Sequence, residues 1–196
     1  MRLILASRSP RRQELLRSVG IDFVVSPPDE TVELIDIAAH TGLSLVRELA
    51  LRKAKSVAEH TRKGLILAAD TVAQCGEDIL GKPTDRQHAF HMLSRMSGQV
   101  HYVHTGLCLW SAPSGEHRLE TDSTRLRMSP LDENQINDYL DSGLWKGKAG
   151  AFGYQDQLGW VQVEQGSPSN VVGLPLELLK RMLESFPQEP SDKAVG

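Results

Sequence analysis

The 196-residue chain carries 22 Lys and Arg against 25 Asp and Glu, for a formal net charge of -3, with 40% hydrophobic and 24% charged residues. That length suits one large domain or two small lobes with a sizeable core. The acidic balance argues against a groove for polymeric nucleic acid and directs attention to clustered charges that would meet a small ligand.

The first such cluster opens the chain. Leu3-Ile-Leu-Ala6 is too short an apolar run for a helix and reads as a buried strand. Ser9 followed by Pro10 is an N-cap with proline at the first helical position, and the helix continues through Leu15, Leu16 and Val19 to a stop at Gly20. Free backbone N–H groups and the positive end of the helix dipole therefore lie beside Ser7, Ser9, Arg11 and Arg12, all of which favour an oxyanion. The bland alternative is a solvated basic helix end, or arginines paired with acids elsewhere in the fold.

Phe23-Val-Val25 reads as a second strand, and Ser26-Pro-Pro-Asp-Glu30 leaves it as a loop that presents Glu30 as a candidate metal ligand or base. From about Leu43 to Ala58, the spacing of Leu43, Val46, Ala50, Ala54 and Val57 predicts a helix with one apolar stripe. Lys53 lies on that stripe, either snorkelling outward or aimed at a ligand. Leu65-Ile-Leu-Ala-Ala69 reads as a second central strand ending in Asp70-Thr71, which puts a carboxylate where open α/β sheets place reactive groups. Asp70 could equally cap a turn or pair with an arginine.

Gly81-Lys82-Pro83 makes a turn presenting Lys82, and Thr84 with Gln87 matches a capping box for a helix ending near Met96. Val100–Trp110 and His117–Met128 predict a long antiparallel hairpin. Four histidines, His88, His91, His101 and His104, match no zinc pattern and read as surface and strand residues. A capped helix follows Ser129-Pro-Leu-Asp132 and runs to about Ser142. Residues 146–155, with three glycines and with Lys146 and Lys148, read as a loop whose backbone approaches a ligand. Leu158–Glu164 reads as a strand, Gly166–Asn170 as a tight connection, and the last helix has Pro175 in its first turn with Leu176, Leu179, Met182 and Leu183 inward.

Strands and helices alternate without a linker, so residues 1–186 read as one α/β domain, folded as two lobes about a cleft, with 187–196 a flexible tail. Cys75 and Cys108 lack metal-ligand spacing and read as free thiols of a reducing compartment. With no signal peptide and no run near the roughly 20 apolar residues of a membrane span, the expected location is the cytoplasm. If Ser7, Ser9, Arg11, Arg12, Lys53, Asp70, Thr71, Lys82, Lys148 and Gln155 share a cleft, several cations face one or two carboxylates. That inventory suits a polyphosphate with a divalent metal. No Walker loop or Gly-x-Gly-x-x-Gly turn occurs, which disfavours a P-loop ATPase or kinase.

In order along the chain, Leu-Ala-Ser7-Arg-Ser9-Pro10-Arg11-Arg12-x-Glu14-Leu-Leu, Lys53-Ala54, Ala-Asp70-Thr71-Val, Gly81-Lys82-Pro83, Lys148-Ala-Gly-Ala-Phe-Gly-Tyr-Gln155 and Ser169-Asn170-Val-Val-Gly-Leu-Pro175 resemble the motifs of the Maf family of nucleoside triphosphate pyrophosphatases. The resemblance implies a mixed central sheet with flanking helices in a Maf/inosine-triphosphatase-like unit. It also implies a cytoplasmic, divalent-metal-dependent (Mg, Mn or Co) homodimer that splits a nucleoside triphosphate into monophosphate and pyrophosphate. By position, Asp70 becomes the proton acceptor, Ser7, Ser9, Arg12, Lys53 and Lys82 the phosphate-binding and catalytic groups, and Asp70 with Glu30 the metal-facing acids.

Three positions divide the family by base. Here they read Arg11, Thr71 and Gln155, the combination of members that resemble dTTP and UTP pyrophosphatases; the 7-methyl-GTP subgroup has tryptophan, glutamine and glutamate there. A glutamine amide suits the imide edge of uracil or thymine. Two other readings stand beside this one. The first is a nucleotide-binding regulator of septum formation with little turnover, and the second is an inosine-triphosphatase type of enzyme, whose opening motif has asparagine and lysine in place of Ser9-Pro10-Arg11-Arg12.

Overall fold

The computed structural model describes residues 2–33, 41–112, 114–156 and 158–187. The tail expected at 187–196 lies, apart from Pro187, outside the described residues. Strands β1 (Leu3–Ala6), β2 (Phe23–Val25), β3 (Gly64–Cys75), β4 (Asp78–Leu80), β5 (Val100–Ala112), β6 (His117–Met128) and β7 (Val161–Gln165) form one sheet in the order β2-β1-β3-β5-β6-β7, with β4 also pairing β3. The pairs β1–β2 and β1–β3 are parallel, and the others are antiparallel. The expected mixed α/β sheet is therefore present. Helices α1 (Pro10–Ser18), α2 (Gly42–Ala58), α3 (Arg86–Met96), α4 (Glu133–Asp141), α5 (Pro168–Val172) and α6 (Leu176–Ser185) cover it.

Alternation along the long strands sorts the core. Ile4, Ala6, Ile66, Ala68 and Cys108 face α2 through Ala50, Ala54 and Val57. On the opposite face, Leu3, Leu5, Leu65, Leu67, Leu107 and Leu109 pack against Leu16 of α1 and against Leu178, Leu179 and Met182 of α6. Further along that same face, Ala73, Cys75, Val103, Leu126 and Met128 form a separate core with Met92, Leu93 and Met96 of α3 and with Ile136, Tyr139 and Leu140 of α4. Two cores thus share one face of one continuous sheet, and the cleft lies between them. This is the physical content of the two-lobed expectation.

Several boundaries move for local reasons. Helix α3 is capped by Asp85, whose Oδ1 accepts from His88 N at 2.7 Å, and not by Thr84. Thr41 caps α2 through a reciprocal pair with Ser44, and Leu43, read as part of the apolar stripe, is 39% exposed while Leu49 takes the inward place. Pro175 is the N-cap of α6 and not a residue of its first turn. Strand β7 starts only at Val161, and residues 168–172, expected as part of a connection, form the short α5.

Helix α2 lies hard against β5 because position 106 has no side chain. A Cβ built there would sit 2.3 Å from the Val46 carbonyl oxygen, inside the helix backbone. Gly106→Ala must push α2, and with it Lys53, away from the sheet. Overpacking of this kind costs about 1–3 kcal/mol, to be read as a lowered midpoint of thermal unfolding.

Candidate active site

The register of β3 builds the site. On the edge of β3 away from β5, β1 pairs only as far as Ala6↔Ala68, and β4 begins at Ala73↔Leu80. Among the described residues, no strand covers Ala69–Val72 on that edge. The chain leaving β1 brings Ser7 and the start of α1 into the gap from one end, and the chain leaving β4 brings Gly81 and Lys82 from the other. Asp70 and Thr71 lie between, on opposite faces of the sheet. Asp70 was expected at a strand end; it sits inside a 12-residue strand, two residues past the end of its parallel-paired part. Antiparallel pairing with β5 through Gln74 carries the strand onward past the polar residues.

A cavity of about 480 Å³ opens here, lined by Ser7, Ser9, Arg11, Arg12, Glu30, Lys53, Asp70, Thr71 and Lys82, among others. Nine of the sequence-derived site residues therefore converge. On the α2 face, the Lys53 ammonium donates to Asp70 Oδ1 at 2.5 Å. The lysine is 4% and the aspartate 9% exposed. Lys53 does not snorkel outward: its place on the buried stripe aims it at the carboxylate. A buried pair of this kind is held by mutual attraction, and removing one partner leaves an uncompensated charge.

On the other face, Arg12 ties three elements together. Its Nε donates to the Gly173 carbonyl at 2.8 Å, Nη1 to Ser7 Oγ at 3.2 Å and Nη2 to Thr71 Oγ1 at 3.0 Å. Ser7 Oγ also accepts from Ser9 N at 3.1 Å. Gly173 is placed for this by Asn170, fully buried, whose amide donates to Val103 O at 3.0 Å and Thr124 Oγ1 at 2.9 Å. At the start of α1, the Ser9 hydroxyl makes no bond to its own helix, and no acidic residue stands in the first turn. Arg11 donates to the Gly147 carbonyl at 2.9 Å. Burial draws its pKa below the ordinary arginine value, against the opposing charges of Asp156, Tyr139 and Glu14.

Two expected residues are not brought in. Lys148 is buried in an ion pair with Asp156, donating to Oδ1 at 2.6 Å, and Asp156 also accepts from the Tyr139 hydroxyl at 2.7 Å. A buried ammonium takes the nearest carboxylate, so Lys148 braces the loop while its neighbours Gly147 and Ala149 line the cleft. Gln155 is exposed on the 3₁₀ turn Tyr154–Asp156 and is not among the lining residues. The loop read over residues 146–155 holds two such turns, the other spanning Ala149–Ala151.

For a divalent cation the oxygen donors at the cleft are Asp70, Asp29 and Glu30. Asp29 accepts from Ser56 Oγ at 2.9 Å, and Glu30, which opens the 3₁₀ turn Glu30–Glu33 and does not sit in an open loop, lies 3.6 Å from Arg8. Among the described residues no group of three or more His, Cys, Asp or Glu forms a protein-only cage. One or two carboxylates completed by substrate phosphates is the arrangement that suits Mg²⁺, and the donors present fit it.

His101, read as an ordinary surface or strand histidine, also lines the cleft and is 3% exposed. Only the fold could reveal this: in β5 it pairs across to Leu126 and shares a face with Val103. His104, on the other face, is buried too and bonds Ser123 Oγ at 2.8 Å. Burial pulls the His101 pKa down to about 4, with a hydrogen bond to the Gln99 backbone opposing it, and burial lowers His104 as well. A folded pKa below the unfolded one means that the unfolded chain binds the extra proton. The stability is full above about pH 6.5 and is lost as pH falls towards 4, by about 3 kcal/mol from His101 alone. Urea midpoints at pH 7 and pH 4 check this, and His101→Leu should flatten part of the difference.

The profile of Maf-like proteins matches residues 2–186. The chain belongs to the Maf family. A Maf relative from Rhodopirellula baltica, a dTTP/UTP pyrophosphatase, is 49% identical over 187 residues, covering 95% of this chain and 82% of that one. Another dTTP/UTP pyrophosphatase, from Symbiobacterium thermophilum, is 43% identical over 185 residues, covering 94% and 93%. Among solved structures, a HAM1 protein from Coxiella burnetii shares the fold at TM-score 0.50 and 16% identity, covering 94% of this chain and 98% of that one. The Maf chain's described helices include none long and apolar enough to cross a membrane. Both cysteines are free and buried, and burial pushes the Cys108 thiol up to about 12, which makes it unreactive.

Proposed function

We propose that the chain hydrolyses nucleoside triphosphates, dTTP and UTP in preference to purine nucleotides, to the nucleoside monophosphate and pyrophosphate. The observation that carries this reading is the buried Lys53–Asp70 pair in the uncovered stretch of β3, flanked by the serine- and arginine-bearing start of α1 and by Lys82. A pure nucleotide binder has no need of a carboxylate held by a lysine in that gap, and the regulator reading is not favoured. The substrate class is supported by relatives named dTTP/UTP pyrophosphatases.

In this reading the triphosphate lies at the α1 start, its oxygens facing the first-turn N–H groups, Ser9 and Lys82. Arg12 and Ser7 hold that surface in shape. Asp70, oriented by Lys53, accepts a proton from water as the water oxygen bonds to the α phosphorus. The bond from that phosphorus to the bridging oxygen breaks, and the electron pair leaves with pyrophosphate. A divalent cation, Mg, Mn or Co, would be held by Asp70 and Glu30 with phosphate oxygens; when bound it supplies neutralisation of phosphate charge. Lys148 acts by bracing the loop; Arg11 and Thr71, which line the cleft, set the base preference; and Gln155, outside the lining, takes part only through the turn that carries it. Self-association as a homodimer and a cytoplasmic location belong to the same reading, and mass in solution checks the first.

The test is a panel of UTP, dTTP, CTP, GTP and 7-methyl-GTP with Mg, Mn and Co. UTP and dTTP should give the highest kcat/KM, and a dominant purine rate would overturn the base assignment.

A further inference from the structure

The order of the strands lays out the lining of the cleft. Val103, Leu126 and Val161 come from β5, β6 and β7, Asp70 from β3, Arg8 from the turn between β1 and α1, and Glu30 from the chain after β2. Because the sheet runs β2-β1-β3-β5-β6-β7, an apolar end and a charged end lie on either side of Asp70. Asp29, next to Glu30, accepts a bond from Ser56 of α2, so the charged end is tied to the same helix as the Lys53–Asp70 pair. A flat base fits between apolar walls, whereas phosphates there would lose their hydration. With the α phosphorus at Asp70 and the base towards β5–β7, the β and γ phosphates extend towards β1 and β2, where Arg8 stands.

Arg8 is held less firmly than its neighbours. The Arg12 guanidinium is engaged with Gly173, Ser7 and Thr71, Arg11 with the Gly147 carbonyl, and the Lys53 ammonium with Asp70. Arg8 instead lies 3.6 Å from Glu30 in a pair whose side chains are 55% and 84% exposed. An exposed pair at that distance adds little to stability and gives way readily to a stronger partner. A phosphate is one: the planar guanidinium matches two of its oxygens at once, and both groups are charged. We infer that Arg8 is a further substrate-binding residue, its guanidinium donating to the β and γ phosphate oxygens, the part of the substrate that leaves as pyrophosphate. The assignment rests on the nucleotide reading above and deepens it by fixing which way the triphosphate lies across the sheet.

Calorimetric titration with tripolyphosphate and with UMP, run with and without Mg, separates the two ends of the site. Arg8→Gln should weaken tripolyphosphate binding by about tenfold and leave UMP within about twofold of wild type. Arg8→Lys, which restores a point charge without the fork, should recover part of the loss. Because the pair with Glu30 is exposed, the thermal midpoint should stay where it is. Arg62→Gln makes the same change of charge at an exposed position outside the cleft and should leave both ligands as in wild type.

In turnover, pyrophosphate should become a poorer product inhibitor of Arg8→Gln by a similar factor, while inhibition by UMP is unchanged. A merely structural Arg8 would weaken both ligands together, and that result overturns the inference. So do equal losses from Arg8→Gln and Arg62→Gln, which would reduce the effect to net charge, and a tripolyphosphate affinity that is unchanged in Arg8→Gln or absent in wild type. Failure of the functional reading looks different: wild type would release UDP and phosphate, or hydrolyse GTP best, whatever Arg8 does in the titrations.

Discussion

Replacing Asp70 by Asn should lower kcat for UTP by about 10³-fold while leaving the affinity for α,β-imido-UTP within a few-fold of wild type. The reason is local. The amide keeps an acceptor for the Lys53 ammonium, which lies 2.5 Å from Oδ1 in the native pair, so the strand and helix stay in register. It cannot take a proton from water. Some stability is lost, because a neutral amide faces a buried cation; a cost of about 1–3 kcal/mol is expected. Removing the cation instead, by Lys53→Met, leaves the carboxylate without its positioning charge and should cost turnover nearly as much. The double variant should be little worse than either single one, since the two groups act as a unit. Additive losses would mean that they work separately.

The second large effect is expected at Arg12. Lysine preserves the charge there but offers one point of contact where the guanidinium donates to Gly173, Ser7 and Thr71 from separate nitrogens. Arg12→Lys should free the start of α1 from β3 and α5 and displace the Ser7–Ser9 turn. A loss of about 100-fold in kcat/KM is expected from misplacement of the phosphate-facing groups. About 2 kcal/mol of stability should go with it as these partly buried bonds are broken. Because the fault lies in the scaffold, KM should rise and the thermal midpoint fall together, whereas Asp70→Asn changes kcat mainly. A variant with wild-type stability and a normal KM would show that Arg12 does not hold the site.

The sequence made the local elements readable because their signals are local. Ser9-Pro10 places the start of α1, the alternation of apolar residues gives β5 and β6, and Gly20, at φ +72, stops the helix where expected. It also pointed to most of the residues that line the cleft, because Ser7, Ser9, Arg11 and Arg12 cluster at one helix start and Lys53 and Asp70 interrupt apolar patterns. What stayed hidden depends on partners distant in sequence. Asp70 read as a strand end because polarity interrupts the apolar run, but pairing with β5 carries β3 on to Cys75. Lys148 and Gln155 read as cleft residues because their loop approaches the cleft; Asp156 captures the lysine and the turn exposes the glutamine. His101 gave no signal at all. A histidine within an apolar strand looks the same whether it faces solvent, a helix or a ligand, and only the register with Leu126 decides.

In the proposed reaction Asp70 directs water to the α phosphorus. Hydrolysis of UTP in ¹⁸O-labelled water, followed by mass analysis of both products, tests this most directly. One labelled oxygen in UMP and an unlabelled pyrophosphate is the predicted result. Label in the pyrophosphate, or release of UDP and phosphate, would contradict it.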